Sequence, residues 1–210
     1  MVDPNPMVAG SGIDRMRAAG IEVAVLDAFP EGRWLNRRFL SAMERGRPWI
    51  ILKCAVSADG FMDPPRQGGE MGSLAITSPA LRRLTHHWRA EEGAILVGAG
   101  TVGTDDPALN VREAEGPNPL RIVLDPQGRT TADRQVYADG HSTLVVGGPQ
   151  GLAESVVRLD ANGQDVLPLL VENLMTREVR SILVEGGADT LGRFLDAGLW
   201  DELRLCHASH

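Results

Sequence analysis

The stretch that most constrains this chain is residues 88–112, WRAEEGAILVGAGTVGTDDPALNVR. An apolar run at 94–97 reads as a buried strand and passes directly into a segment dense in glycine, aspartate and arginine. A ligand site at the carboxyl end of a strand is the natural reading of that order. Gly98, Gly100 and Gly103 match G-x-G-x-x-G letter for letter, the spacing of a dinucleotide-binding Rossmann turn. That fingerprint needs a helix to open at the glycines, so that its amides and dipole meet a pyrophosphate. Thr104, Asp105, Asp106 and Pro107 follow instead, and Pro107 cannot continue a helix and pushes its predecessor toward extended geometry. The expectation is therefore a tight acidic loop and not a Rossmann turn. In it Gly98 and Gly100 permit close backbone approach, Thr101 offers a hydroxyl, Asp105 and Asp106 carboxylates, and Arg112 a planar fork suited to phosphate. An ordinary hairpin loop with capping aspartates would use the same residue types.

A second stretch, residues 181–197, reads SILVEGGADTLGRFLDA. It predicts a strand at 182–184, a glycine turn at Glu185-Gly186-Gly187, and a helix over 190–197 closed by Gly198. Strand, glycine turn and helix in that order present backbone amides and a helix dipole to an anion, although a generic β-α turn looks the same. Glu185, at the strand end, is expected to reach the cleft of the acidic loop.

The rest of the chain supplies an α/β frame. Further strands are expected at 49–56, 120–125, 144–146 and 156–159, with a last one at 202–206 where the sheet edge looks cut short. Lys53 interrupts the first of these, as a snorkelling edge residue or as a site residue, because a lysine in a central strand is costly unless its ammonium finds water or a partner. Residues 63–73 form a Pro/Gly-rich loop suited to a lid. Ser78 and Pro79 open a helix as N-cap and first residue, with Leu81, Leu84 and Trp88 as its core face. His86 and His87 then fall on the surface, and Arg89 faces either a ligand or Glu91 and Glu92. Residues 168–177 read as an amphipathic helix. Before residue 47, a short helix at 13–19 capped by Gly20, a strand at 21–26 and a helix at 35–45 hold too little apolar surface for a core of their own.

The net charge of -7 argues against nucleic acid as a partner. Cys54 and Cys206 belong to no zinc-like array, so no metal site is expected, and free thiols suit a reducing cytoplasm. No apolar run is long enough to span a bilayer, so no membrane partner is expected either.

Taken in order, LKCAVSADG, ITSPALRRLTHHWRAEEGAILVGAGTVGTDDPALNVR, PLRIVLD and ILVEGGADTLGRFLDAGLWDELRL resemble the reductase domain of the bifunctional riboflavin-biosynthesis deaminase/reductase. Residues 1–46 look like the tail of its deaminase domain, and 47–210 like the reductase domain without its last sheet edge. The His-x-Glu and Pro-Cys-x-x-Cys zinc motifs of the deaminase are not in this sequence, so deamination is not expected of it. The resemblance implies a dihydrofolate-reductase-like α/β fold, a central mixed sheet flanked by helices. It also implies NADPH as cofactor, a phosphorylated ribosylaminopyrimidine as substrate, and a cytoplasmic homodimer. By resemblance, Ala55, Thr101 and Asp105 line the nicotinamide half, while Gly187, Ala188, Asp189, Thr190, Leu191, Gly192 and Arg193 hold the pyrophosphate. Ser73, Arg89, Leu109, Arg112 and Glu185 match substrate-contacting positions, and Lys53 and Asp105 are the candidates for catalysis. A reductase of a related pyrimidine or pterin, or a non-catalytic nucleotide-binding remnant, are the competing readings.

Overall fold

The computed structural model describes residues 2–26, 29–62 and 78–207. The strands are β1 (Trp49–Val56), β2 (Ala94–Gly98), β3 (Leu120–Asp125), β4 (Thr143–Gly147), β5 (Val156–Leu159), β6 (Ser181–Val184) and β7 (Glu202–His207). The helices are α1 (Ser11–Ala18), α2 (Pro30–Leu35), α3 (Arg37–Arg45), α4 (Pro79–Glu91), α5 (Ala99–Asp105), α6 (Gln135–Ala138), α7 (Val166–Thr176) and α8 (Ala188–Asp196). The strands join in one seven-stranded sheet in the order β5-β4-β3-β2-β6-β1-β7. The α/β class is as expected, but where a mixed sheet was anticipated every ladder among the described residues is parallel. Successive strands are joined by crossovers and not by hairpins, and a crossover returns the chain in the same direction.

A parallel sheet is covered on both faces, which is why its strands read as continuous apolar runs. Alternate residues sort into two cores. Leu52, Leu96, Ile122, Leu144 and Val184 face Leu170 and Leu174 of α7 and Phe194 of α8. Ile95, Val97, Val123 and Val145 face Val102 of α5 and Val136 and Tyr137 of α6.

Two buried polar groups shape the loops after β3. Arg121, 2% exposed near the start of the apolar strand β3, is neutralised by Asp139 at 2.6 and 2.7 Å and donates to the carbonyls of Ala108 and His141. The Asp125 carboxylate accepts the backbone N–H groups of Arg129 and Thr130 at 2.8 and 2.9 Å and the Thr130 hydroxyl at 2.6 Å. Its carbonyl also takes the N–H groups of Gly128 and Gly148. Gly147 sits at φ +81, where a Cβ would lie 2.3 Å from that same carbonyl oxygen, so the turn after β4 can close only on glycine.

Elsewhere the structure departs from the sequence reading at named places. Residues 21–26 carry no strand, and the helix expected over 35–45 is broken at Asn36 into α2 and α3. Helix α4 has the expected Ser78 cap, whose Oγ accepts the Leu81 N–H at 3.3 Å. Its buried side is rotated, however: Leu84 is exposed, while Thr85 and His86 are buried. Leu84 follows the apolar spacing, but polar partners on neighbouring elements draw the helix round toward His86 and Arg89. Helix α1 buries no side chain, whereas α3 buries Leu40, Ser41 and Ala42 beside β1. Arg38 of α3 reaches the buried Glu92 through two hydrogen bonds of 2.7 and 2.5 Å. Cys54 and Cys206 are free, the first half-buried and the second buried.

Asp125→Ala removes an acceptor from three donors at once, two of them buried on Thr130. It is expected to lower unfolding free energy by about 3 kcal/mol, at roughly 1 kcal/mol per lost bond. Urea denaturation checks this, and an unchanged midpoint would show that the loop is held by something else.

Candidate functional site

Strands β2 and β6 are neighbours, paired at Ala94 with Ile182, Ile95 with Leu183 and Leu96 with Val184. From their carboxyl ends the chain departs in opposite directions, through α5 toward β3 on one side and through α8 toward β7, beyond β1, on the other. Adjacent parallel strands whose crossovers diverge leave a crevice at their carboxyl ends. Here the crevice is a cavity of about 880 Å³.

Both glycine segments end at it. A helix does open at Gly98: α5 begins at Ala99, and the acidic loop expected there is this helix. Pro107 does not prevent it, because α5 is finished by Asp105 and Asp106 has already turned to φ +43. The strand order is nevertheless not that of a Rossmann sheet. Gly98 is required for its lack of a side chain: at φ -88 an alanine would be unstrained, but its Cβ would stand 2.2 Å from Thr190 Oγ1. A Cβ on Gly186 would lie 2.9 Å from the Gly98 nitrogen. The two turns therefore touch through their backbones, and Thr101 Oγ1 accepts the Gly187 N–H at 3.1 Å to join them. A Cβ on Gly100 would meet nothing, so the backbone there is open to a ligand.

The opposite wall is charged. Glu185 extends from the end of β6, its backbone N–H bonded to the Leu96 carbonyl. Its carboxylate meets the Arg89 guanidinium in a two-pronged pair, 2.8 Å from Nε and 2.8 Å from Nη2. Arg89 thus turns to Glu185, not to Glu91 or Glu92, and its Nη1 donates to the Asn110 carbonyl at 3.1 Å. Burial alone would push the Glu185 carboxyl up, but the charge and hydrogen bonds of Arg89, with Lys53 and His86, outweigh it and hold the group below the usual carboxylate range. Lys53 is not an edge residue, since β1 lies between β6 and β7, and it lines the cavity.

The sequence-predicted residues divide accordingly. Lys53, Ala55, Thr101, Asp105, Glu185, Gly187, Ala188, Asp189, Thr190 and Arg193 line the cavity. Leu191 is packed in the core beneath α8, and Gly192 is not on the cavity wall. Leu109 has its side chain in the second core at φ +52, so it can offer a ligand only backbone. Arg112 is exposed, with its Nη1 on Asn110 Oδ1 at 3.0 Å. Ser73 lies outside the described residues, as does the rest of the 63–73 loop. His86, expected on the surface, is 2% exposed and accepts the Arg112 N–H at Nδ1, 3.2 Å away. Phe61, Met62, Gln127 and Arg129 line the cavity without having been singled out from the sequence. For Arg129 the available signal was Asp125, which anchors its backbone.

A long, anionic cofactor suits this cavity. Its volume is at the upper end for ligand sites, roughly 300–1,000 Å³. The first turn of α8 and the open Gly100 offer backbone to phosphate, while the Gly187 N–H is already held by Thr101. Among the described residues no cluster of His, Cys, Asp or Glu stands ready for a metal, and no helix is long and apolar enough to cross a membrane.

The chain as a whole resembles known proteins. The family model of the RibD C-terminal domain matches residues 48–210. The riboflavin biosynthesis protein RibD of Bacillus amyloliquefaciens is 37% identical over 218 residues, covering 98% of this chain and 57% of that protein. The structure of Acinetobacter baumannii RibD, form 2, superposes with a TM-score of 0.79 at 35% identity, over 96% of this chain and 57% of the other. A diaminohydroxyphosphoribosylaminopyrimidine deaminase/5-amino-6-(5-phosphoribosylamino)uracil reductase from Thermotoga maritima superposes with a TM-score of 0.77 at 32% identity, over 93% and 54%. The chain thus spans somewhat more than half the length of these relatives.

Two outcomes are expected of the site's architecture. Because the folded-state pKa of Glu185 is depressed, its stabilising effect is complete above the ordinary carboxylate pKa and is lost as pH falls through the depressed value. Glu185→Gln should flatten that acid limb of the stability profile and lower stability at neutral pH, where Arg89 is left buried and unpaired. Gly98→Ala should wedge the two turns apart and cost about 1–3 kcal/mol by overpacking. Thermal unfolding between pH 3 and 8 reads both, and an acid limb unaltered in Glu185→Gln would assign it to other carboxylates.

Proposed function

The chain belongs to the RibD C-terminal domain family, and from that premise we propose that it is a reductase of riboflavin biosynthesis. Its substrate in this reading is 5-amino-6-(5-phosphoribosylamino)uracil, whose ribose it reduces to the ribityl form with NADPH. Residues 47–210 are the catalytic unit, and a cytoplasmic homodimer is the assembly that goes with it. The observation that carries the reading is the cavity at the β2/β6 divergence, which joins the helix N-terminus of α8 to a wall of Lys53 and Glu185, with Arg89 paired to Glu185 behind it. The Thermotoga relative, whose described activity is the same reduction, supports it.

The cradle, from Gly187 through the first turn of α8, is suited to the cofactor's pyrophosphate, with Arg193 at its rim. Ala55 on β1, and Thr101 and Asp105 on α5, then flank the nicotinamide end. When bound, NADPH supplies the hydride. The protein's part is orientation and electrostatics. Lys53, a cation on the cavity wall, polarises the sugar carbonyl, and Asp105 positions the reacting groups or relays a proton. Arg112 meets the 5'-phosphate directly, since its guanidinium is exposed. Arg89 is committed to Glu185 and to Asn110, so it supports that corner with charge.

NADPH oxidation, followed by absorbance with this aminouracil and then with its undeaminated precursor, tests the reading; cofactor binding with silence on both substrates would overturn it. Asp105→Asn should lower turnover by about 10²-fold or more, a general acid–base contribution, while NADPH affinity stays near that of the parent. Arg112→Ala should raise KM for the phosphorylated substrate and leave KM for NADPH unchanged. Equal losses on both would take Arg112 out of the phosphate site.

A further inference from the structure

Among the described histidines only His86 is buried. It lies one turn before Arg89 on α4, so the two side chains leave the helix on the same side. Together they clip the segment 110–112 to the helix, Arg89 Nη1 donating to the Asn110 carbonyl and His86 Nδ1 accepting the Arg112 N–H. The segment needs holding. It follows Leu109, a non-glycine residue at φ +52, and it carries the exposed Arg112.

An imidazole that accepts at Nδ1 carries its proton on Nε2 and is neutral. The surroundings favour that state. Burial pushes the His86 pKa below its ordinary value, and the charges of Arg89 on α4 and Arg112 on the clipped segment push it further down. Glu113 on that segment and Glu185 at the end of β6 pull the other way without reversing the shift.

We propose that His86 is a positioning residue for Arg112, a neutral acceptor that fixes the arginine's backbone and so aims its guanidinium at the phosphate of the substrate. The proposal rests on the reading of Arg112 as the phosphate ligand. His86 touches no reacting atom; it acts through the segment it holds. Protonation sets two N–H donors face to face and adds a third positive charge beside two guanidinium groups. The clip therefore opens as pH falls through the depressed His86 pKa. Grip on the phosphorylated substrate weakens there, while turnover of bound substrate does not.

Two variants separate this role from a merely structural one. His86→Leu keeps apolar bulk and removes the acceptor; His86→Asn keeps an acceptor oxygen near the Nδ1 position and cannot titrate. In His86→Leu, KM for 5-amino-6-(5-phosphoribosylamino)uracil is expected to rise about tenfold, the effect of one lost positioning hydrogen bond, with kcat and KM for NADPH unchanged. His86→Asn should restore KM and make the pH profile of phosphate-dependent affinity follow the titration of the phosphate alone. An unchanged KM in His86→Leu, a defect in His86→Asn as large as in His86→Leu, or an acid loss of affinity in the parent no steeper than in His86→Asn overturns the proposal. Calorimetry with ribose 5-phosphate against ribose keeps it separable from the reductase reading. Phosphate-dependent affinity that falls in His86→Leu and returns in His86→Asn upholds the positioning role even in a protein that oxidises no NADPH. Active enzyme whose ribose 5-phosphate affinity ignores both variants upholds the reductase and removes the role of His86.

Discussion

The site depends on two backbones being allowed to touch. Gly98 at the end of β2 lies against Thr190, and Gly186 after β6 lies against the Gly98 nitrogen, at separations no side chain could enter. This contact is possible because β2 and β6 are neighbours whose crossovers leave the sheet in opposite directions. Thr101 fastens it by accepting the Gly187 N–H. Everything that lines the cavity is placed relative to that seam: the first turn of α8 on one side, α5 with Asp105 on the other, and Lys53 on β1 next to β6.

The charged wall is sustained by a buried pair that would be costly alone. Withdrawing a carboxylate and a guanidinium from water carries a penalty that attraction offsets only when the geometry is good and the remaining polar atoms are satisfied. Glu185 and Arg89 meet that condition through two parallel hydrogen bonds, and a third from Arg89 reaches the Asn110 carbonyl. The pair thereby links the end of β6 to α4 and to the segment bearing Arg112. A retained buried ion pair at a cavity wall is weak as a source of stability and better understood as fixing where charge stands.

A parallel sheet with both faces covered has little freedom in its interior, and two buried polar residues of β3, Arg121 and Asp125, act as loop-builders. Arg121 ties β3 to the Ala108 carbonyl and to Asp139 after α6. Asp125 folds the 126–130 turn so that Gln127 and Arg129 border the cavity. These groups sit in strands that look apolar, and they place the rim of the site without touching its centre.

How much of this was legible in the sequence follows from the range of the forces involved. Strands β1 and β3 fall where their apolar runs predicted, because burial on both faces writes itself into consecutive residues, and the edge strand β5 falls at its expected place although half of it is exposed. The Ser78 cap and the order strand, glycine turn, helix around Gly186 are local chemistry and could be read directly. Of the residues that the family resemblance named, Lys53, Ala55, Thr101, Asp105, Glu185, Gly187, Ala188, Asp189, Thr190 and Arg193 border the cavity, whereas Arg89, Leu109, Arg112, Leu191 and Gly192 do not. Four things were decided only in three dimensions. The stop imposed by Pro107 leaves room for the seven-residue α5 before it. The Leu84 face of α4 loses to one centred on His86 and Arg89, whose partners lie far away in sequence. Lys53 becomes a cavity residue because β7 covers the other side of β1. The need for glycine at position 98 arises from Thr190, a neighbour 92 residues away that periodicity cannot reveal. Patterns of burial and capping are short-range and belong to the sequence; which distant groups meet is settled by packing alone.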